Sequence, residues 1–438
     1  MTIVSQRPRP RTGAGEDEGG HGRLRVLIAG DTYPPDVNGA AYFTHRLATG
    51  LAARGHDVHV VCASPTGEPG IEVRSGVTLH QLRSVSVLVH ETMRTTLPAG
   101  IGGHLDRLIE RLNPHVVHAQ SHFTTSRAAI RRARSAGVPV VLTNHFMPDN
   151  LFGHAHVPER LQGMAGALAW RDMVRVAYQA DYVTTPTERA AALLAEKGFS
   201  RTVEAVSCGI DLERFHPRPA DRAAARERFG LPDRDTIAFV GRLDEEKRID
   251  ELIRALPRVL ERRDAQLALV GVGRREQEVR LLAAELGVAE RVHFLGFVPD
   301  TDLPQVYVAA DVFAIGSVAE LQSIATLEAM STGLPVVAAD ALALPHLVAH
   351  GRNGYLYTPG DVEALAGHLL AVLEPERVRA EMGAASREIV RRHDHRRSLD
   401  RFVEIYGEVR PRHFAGLRRS RTPLQGPRLR QRRPVIAA

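Results

Sequence analysis

The chain has 438 residues, of which 44% are hydrophobic and 25% are charged, and its formal net charge is +6. These values are typical of a globular protein that is too long for one core, so we expect two domains of roughly 180–200 residues each. No apolar run approaches the roughly 20 residues of a membrane span, and no secretory leader pattern is present. Cys62 and Cys208 lie far apart, which predicts buried thiols and a cytoplasmic location.

The positive charge is concentrated at the carboxyl end of the chain. Residues 409–438 contain nine arginines and no acidic residue, and subtracting these nine charges from +6 leaves −3 for the rest. This proline-containing segment is predicted to be disordered, and so are residues 1–22, which are rich in glycine, proline and charge. The mildly acidic body argues against nucleic acid as a partner, whereas the arginine tail could contact an anionic membrane.

From Leu24 onwards, short apolar runs alternate with helical segments, as in parallel α/β domains. The strand-like runs of a first series are "LRVLIAG", "HDVHVVCA", "HVVHA", "VPVVLTNH" and "ADYVTTP". A second series follows "SCGIDLERFHP" and contains "TIAFVG", "AQLALVG", "RVHFLG", "VFAIGS" and "LPVVAAD". The alternation predicts two open parallel sheets with right-handed crossovers.

The two series define the expected domain organisation. We expect Rossmann-like domains over residues 23–207 and 208–385, and a helix over residues 386–408 that packs back on the first domain. In open α/β sheets ligands bind at the carboxyl ends of the strands, so two such domains predict a cleft with strand-end residues on both sides. The segment Val85–Gly103 is apolar and loop-like.

In the first domain, two strand-end residues are candidates for the cleft. Gly39, in "DVNGAAYFTHRL", stands where a loop enters a helix, and a glycine there lets a phosphate or sugar approach the backbone. His145 ends a strand and could donate to a sugar hydroxyl, although a purely structural role fits the spacing equally well. No GxGxxG is present, so a nicotinamide site is not expected. The spacing of the nearby histidines does not predict a metal site (His115, His118, His122).

In the second domain, "FVGRLDEEKRID" follows a strand that ends at Val240. Arg242 leaves the strand end, and Asp244 is expected to cap a helix whose first turn holds Lys247. Lys197 and Lys247 are the only lysines of the chain. An arginine, a lysine and free helix amides in one loop predict a clamp for a diphosphate, the alternative being an ordinary charged helix start.

The stretch "AELQSIATLEAM" carries Glu320 and Glu328 eight residues apart. Ser323 is a plausible N-cap and Gly333 a plausible end, which predicts a helix over 324–332 with Glu320 before it and Glu328 in its second turn. The free amides at Ser323 and Ile324 form an anion site between the two carboxylates. The alternative is an amphipathic helix whose acids face solvent.

Taken together, these residues resemble the retaining glycosyltransferases of the family 4 type, which have the GT-B fold. The resemblance covers most of residues 23–408, and its most specific mark is the E-x7-E pair of Glu320 and Glu328. Supporting marks are "GRLDEEK", "CGIDLERF", the "NG" loop and "EAMSTGLPVVA". Two departures are Gln322–Ser323, where phenylalanine and glycine are common, and "LALPH" (Leu342 to His346) in place of a Gly-Gly-x-Pro-Glu segment.

The resemblance implies transfer of a hexose from a nucleotide-sugar donor, of the GDP-mannose or UDP-glucose type, with retention of configuration. No metal and no cofactor beyond the donor are expected, and the acceptor is expected to be a lipid, an inositol-containing molecule or a glycan. The implied roles are sugar binding by Glu320, ribose binding by Glu328, diphosphate binding by Arg242 and Lys247, a phosphate contact at Gly39, and a contact to the transferred sugar at His145.

Two alternatives stay open at this point. The same architecture also serves sugar-nucleotide epimerases and phosphorylases. A different class of protein would bind a membrane or nucleic acid through the arginine tail, although this tail has no aromatic residue for base stacking beyond Phe414.

Overall fold

The structure is a computed structural model that describes residues 22–36, 38–87, 90–147, 159–374 and 376–419. The predicted disordered residues 1–22 therefore lie outside the described part, except for Gly22. The first domain contains ten strands: β1 (Arg25–Ala29), β2 (Asp57–Ala63), β3 (Gly70–Arg74), β4 (Val77–Leu82), β5 (Ser84–Val87), β6 (His90–Thr96), β7 (Val116–Ala119), β8 (Val140–Thr143), β9 (Tyr182–Thr185) and β10 (Glu204–Ala205).

Eight of these strands form one twisted sheet in the order β10-β9-β8-β7-β1-β2-β4-β3. Every neighbouring pair is parallel except β3 and β4, which are antiparallel. The strand order reverses between β1 and β7, which places the binding crevice of this sheet beyond the ends of those two strands.

The helices of the first domain cover both faces of its sheet. They are α1 (Gly39–Ala53), α2 (Ile101–Leu112), α3 (Thr124–Ser135), α4 (Glu159–Ala177) and α5 (Glu188–Glu196). The segment Val85–Gly103 was expected to be loop-like, and this prediction was wrong. It contains the antiparallel hairpin of β5 and β6 and the start of α2, because Val and Thr, which are frequent in this segment, are β-branched and favour strands.

Among the described residues, the second domain has six strands and seven α-helices. The strands are β11 (Asp235–Val240), β12 (Ala265–Val270), β13 (Val292–Gly296), β14 (Val312–Ile315), β15 (Val336–Ala339) and β16 (Gly354–Tyr357). The helices are α6 (Arg222–Arg228), α7 (Ile249–Leu260), α8 (Glu276–Glu285), α9 (Leu303–Ala309) and α10 (Ile324–Ser331), followed by α11 (Val362–Leu373) and α12 (Glu376–Val390) on the outer face.

The second sheet is parallel throughout, in the order β13-β12-β11-β14-β15-β16. This is the Rossmann order 3-2-1-4-5-6, with the switch point between β11 and β14. Every residue of β12, β14 and β15 is buried, which explains why these strands are continuous apolar runs in the sequence. The predicted α/β class with two Rossmann-like domains is confirmed.

The last helix, α13 (His395–Arg419), returns to the first domain. His118 on β7 hydrogen-bonds through Nδ1 to the Tyr406 hydroxyl at 2.8 Å and through Nε2 to Thr143 Oγ1 at 2.7 Å. Leu399 packs against Gly50 of α1 so closely that a Cβ at Gly50 would lie 2.6 Å from Leu399 Cδ1. The carboxyl-terminal helix therefore fastens the second domain to the first.

Two expectations about this end of the chain were wrong. Residues 386–408 are not one helix, since α12 ends at Val390 and a short turn, Arg391–His393, precedes α13. Helix α13 then continues to Arg419, so the first residues of the predicted disordered tail are helical. The buried Phe402 and Tyr406 anchor the helix, so each residue that extends it adds little unfavourable free energy. Arginine is also a good helix former. Among the residues that the structure describes, no helix has the length and apolar character needed to cross a membrane.

Because His118 is fully buried, the attachment of α13 should depend on pH. Burial lowers the pKa of His118 to about 3, below the value of about 6.5 in an unfolded chain. The native state therefore binds fewer protons in this window, and stability should fall as the pH drops below 6.5, by up to about 1.4 kcal/mol per pH unit from this one group. Urea unfolding between pH 7.5 and 5 measures the slope.

We expect His118→Gln to reduce that slope, and the exposed His346→Gln to leave it unchanged as a control. Equal slopes in wild type and His118→Gln would remove His118 as a determinant of acid stability.

Candidate functional site

The carboxyl ends of the two sheets face each other across a cleft that α10 enters with its amino-terminal end. Ser323 caps this helix by accepting from the Thr326 N–H at 3.3 Å. The helix covers Ile324–Ser331, so the predicted end was within one residue. Glu320 lies in the preceding loop and Glu328 in the second turn, in the positions that the sequence predicted. The amides of the first turn point into the space before Ile324.

The amino-terminal end of helix α1 contacts the amino-terminal end of α10. A Cβ placed on Gly39, the first residue of α1, would lie 3.6 Å from the Cδ1 of Ile324. The amino-terminal ends of two helices from different domains therefore adjoin. Each such end carries about half a positive charge, so the space beside them favours an anion.

Lys247 and Glu320 form an ion pair beside these helix ends. Lys247 comes from the loop after β11 and Glu320 from the loop after β14, the two strands that flank the switch point. Both side chains are mostly buried, with exposed fractions of 15% and 13%. A cation and a carboxylate are thus held together at the place where this fold binds ligands.

The backbone around Lys247 differs from the prediction. Lys247 ends a short 3₁₀ turn, Glu245–Lys247, and does not lie in the first turn of an α-helix. Arg248 follows in the left-handed conformation, and α7 begins only at Ile249. The Asp244 side chain makes no cap bond, because it accepts from the Arg242 guanidinium and, at 3.3 Å, from the Arg274 N–H. A short 3₁₀ turn therefore takes the place of the expected α-helix start at Lys247.

Arg242 leaves the end of β11 as predicted, and its guanidinium is oriented by two carboxylates. One is Asp244, and the other is Glu246, whose Oε1 lies 2.7 Å from Arg242 Nη2. The Arg242 side chain keeps about a third of its surface exposed. It can therefore contact a ligand at the rim of the cleft while its orientation is fixed.

Glu328 is buried, with 7% of its surface exposed, and faces α1. The hydroxyl of Tyr307 on α9 donates to Glu328 Oε2 at 2.7 Å. Burial raises the pKa of the Glu328 carboxyl to about 7, opposed by the Tyr307 hydrogen bond and by the positive charge of Arg46 on α1. The Glu328 carboxyl is therefore harder to ionise in the ligand-free protein than an exposed glutamate.

His145 lies at the end of β8, on the first-domain side of the cleft. Its Nε2 hydrogen-bonds to Gln120 Oε1 at 3.0 Å, its Nδ1 lies 3.9 Å from Cys208 Sγ, and its ring packs on Phe43. Burial lowers the pKa of His145 to about 3, so the ring is neutral at physiological pH. Both ring nitrogens contact protein groups, which fits a positioning role, and the contact to a sugar stays a prediction.

The two departures from the family pattern hold the Glu320 loop in place. Gln322 Oε1 accepts from the Cys208 N–H at 2.7 Å, which ties the start of α10 to the segment between the domains. Ala343, within "LALPH", donates its N–H to the Glu320 carbonyl at 3.2 Å. Thr187 of the first domain donates to the Leu321 carbonyl at 2.8 Å. The loop is therefore fixed from both domains.

An apolar surface lies at the neighbouring strand ends. Val272, after β12, and Phe297, after β13, are exposed by 53% and 54%, although both are large apolar residues. The two strands are adjacent and parallel, so these side chains stand at the same edge of the sheet. A flat apolar group bound next to the Lys247 loop could cover them.

The sequence did not predict three of these contributors. Tyr307 and Gln120 act on a predicted residue through a single hydrogen bond across the fold, and no local pattern reveals such a pairing. The exposed Phe297 sits one residue beyond a strand, and only its position at a strand end could have suggested it. Within the described ranges, no group of three or more His, Cys, Asp or Glu side chains could hold a metal ion.

Comparison with known proteins identifies the family. The model of "Glycosyltransferase Family 4" matches residues 37–214, and that of "Glycosyl transferases group 1" matches residues 221–389. A D-inositol 3-phosphate glycosyltransferase of Saccharomonospora viridis is 32% identical over 397 residues, which cover 85% of this chain and 90% of that protein. The chain belongs to the GT-B glycosyltransferases. The predicted family resemblance is thereby confirmed.

Other relatives of this GT-B chain match over a shorter length or in fold alone. A GDP-mannose-dependent alpha-(1-6)-phosphatidylinositol monomannoside mannosyltransferase of Mycolicibacterium smegmatis is 37% identical over 222 residues, 49% of this chain. The match spans 58% of that relative and 52% of two mycobacterial ones. Sucrose-phosphate synthase from Thermosynechococcus elongatus has the same fold, with a TM-score of 0.73 and 20% identity, over 90% of this chain and all of that one.

Proposed function

We propose that this protein is a retaining, metal-independent glycosyltransferase that moves a hexose from a nucleotide-sugar donor to a lipid, inositol-containing or glycan acceptor. The observation that carries the proposal is the meeting of the α1 and α10 amino-terminal ends beside the Lys247–Glu320 pair. A nucleotide sugar offers an anionic diphosphate next to a hydroxyl-bearing ring, and this arrangement offers a partner for each. GDP-mannose and UDP-glucose are the donor types to test.

The diphosphate would lie between the two helix ends. Lys247 supplies a compact cation there, and Arg242 a second one at the rim, with its orientation preset by Asp244 and Glu246. As the glycosidic bond breaks, negative charge accumulates on the diphosphate. Preorganised positive groups around the leaving oxygen stabilise that charge, which is the type of interaction that contributes most to many enzymatic rates.

The two glutamates and the exposed apolar residues at the strand ends would bind the remaining parts of the donor. Glu320, held beside Lys247, would accept from hydroxyls of the transferred sugar. Glu328 would accept from the ribose, and its buried carboxylate gains hydrogen-bond donors when it does so. The nucleobase would cover Val272 and Phe297.

The acceptor would enter from the first domain, on the side of His145 and Gln120. Retention without a protein nucleophile requires the acceptor oxygen to attack from the side on which the diphosphate leaves. The proton of the acceptor hydroxyl then passes to the departing phosphate oxygen, so that atoms and charges balance without a metal. The names of the inositol-phosphate and phosphatidylinositol relatives support an inositol-containing acceptor.

One prediction concerns the Lys247–Glu320 ion pair. Lys247→Ala and Glu320→Gln should each reduce turnover with the correct donor by roughly 100-fold or more, the loss expected for one charge-stabilising group. Steady-state kinetics with a panel of nucleotide sugars measures this. Lys197→Ala is the matched control, since it removes the only other lysine from an exposed site and should keep wild-type rates. Near-normal rates in both site variants would refute the clamp.

Another prediction concerns the stereochemistry and the metal dependence of the transfer. A product formed from an α-linked donor should carry an α-glycosidic bond, which the one-bond C1–H1 coupling in the NMR spectrum of the first product shows directly. Turnover should be unchanged in excess chelator, because Lys247, Arg242 and the helix ends supply the positive charge. A β-linked product, or activity that requires an added divalent ion, would contradict this mechanism.

We also propose that the arginine-rich carboxyl end holds the enzyme at an anionic membrane when the acceptor is a lipid. Each basic residue near such a surface contributes about 1 kcal/mol. Removal of residues 412–438 should reduce co-sedimentation with liposomes that contain anionic lipid and reduce activity on a membrane acceptor. Turnover on a short, water-soluble acceptor should be unchanged. Equal liposome binding with and without these residues would contradict the proposal.

A further inference from the structure

The turn that carries Lys247 ends in an unusual backbone conformation. Arg248 has φ 49° and ψ 44°, which is the left-handed region that a non-glycine residue rarely occupies. For such a residue the conformation lowers the local population roughly tenfold relative to a right-handed one. Strain of this kind persists only where surrounding contacts enforce it, and it concentrates at functional sites.

The contacts that enforce it come from the buried side chain of Glu251. Only 2% of the Glu251 side chain is exposed, and its Oε1 pairs with the Arg248 guanidinium one turn earlier. Its Oε2 accepts from the Tyr357 hydroxyl at 2.8 Å, which fixes the carboxylate against β16. The side chain of Arg248 is therefore held at its far end while its backbone turns sharply.

The same turn is joined to the loop that carries Glu320. The Glu246 carbonyl accepts from the Val318 N–H at 3.0 Å. A Cβ on Gly316 would lie 3.1 Å from the Arg248 carbonyl and 2.9 Å from the Tyr357 hydroxyl, so the loop passes directly over Arg248. Any change of the Arg248 backbone would therefore displace Lys247 relative to Glu320.

We propose that Arg248 and Glu251 act as positioning residues that hold Lys247 against Glu320 before a donor binds. The ion pair with buried Glu251 stabilises a left-handed turn that glycine would adopt without help, and this turn directs Lys247 towards the end of β14. The consequence for the donor rests on the proposed function above. The inference about the position of Lys247 in the ligand-free protein does not depend on that function.

The experiment compares two double variants that differ only in the backbone preference at position 248. Arg248→Gly/Glu251→Gln and Arg248→Ala/Glu251→Gln both lack the ion pair and the buried charge, but only glycine adopts the left-handed conformation readily. Glu363→Gln is the control, since it breaks the exposed Arg258–Glu363 pair that also joins α7 to its neighbour. Thermal unfolding identifies variants that are simply destabilised.

Lysine-selective ¹³C labelling provides a direct readout, because the chain has two lysines. In the ligand-free protein, the Cε signal of Lys247 should move in the alanine double variant and stay near its wild-type position in the glycine double variant. The Lys197 signal serves as an internal reference in both. The donor KM should rise roughly tenfold in the alanine variant and by less than about threefold in the glycine variant.

Identical Lys247 signals in the two double variants would overturn the proposal, and so would equal donor KM values at matched stability. Failure of wild-type protein to bind any nucleotide sugar would instead refute the proposed function. The NMR comparison needs no donor, so it would still decide whether Arg248 and Glu251 position Lys247.

Discussion

The cleft depends on one electrostatic constraint, namely that the amino-terminal ends of α1 and α10 meet at Gly39 and Ile324. Two like partial charges in contact are unfavourable unless an anion or carboxylate lies beside them. Glu320 supplies such a carboxylate and is itself balanced by Lys247. The family's glutamate before α10 therefore has a physical role in the free protein as well as its proposed role with a sugar.

The helix amino-terminal ends of this protein differ in whether a side chain already occupies them. At α3 the first-turn amides of Thr125 and Ser126 donate to Asp31 at 2.7 and 3.3 Å, so a side chain from the loop after β1 already fills that site. At α10 the cap Ser323 satisfies only the Thr326 amide. The unfilled helix end lies at the switch point of the second sheet, where Rossmann folds bind ligands.

The sequence predicted those features that repeat locally, and it missed those that depend on distant contacts. The buried strands β11, β12, β14 and β15 are continuous apolar runs, and this pattern was sufficient to predict the two α/β domains. The cap at Ser323 was predicted because capping depends only on neighbouring residues. The 3₁₀ turn at Lys247 was missed because arginine rarely adopts the left-handed conformation seen at Arg248. This residue pairs with Glu251, which in turn accepts a hydrogen bond from Tyr357, 106 residues later.

The balance of charge in the cleft restricts which anion it suits. In the ion pairs of this site, three carboxylates, those of Asp244, Glu246 and Glu320, contact the two cations Arg242 and Lys247. The acids outnumber the bases in these pairs, so the binding of a phosphate also depends on the helix ends, each worth about half a charge. Glu320 still needs hydrogen-bond donors when an anion competes for Lys247. A ligand that brings hydroxyls beside its diphosphate supplies them, and a nucleoside diphosphate alone does not. On the proposed function, the site should therefore hold the intact donor better than the nucleotide that remains after transfer, which favours product release.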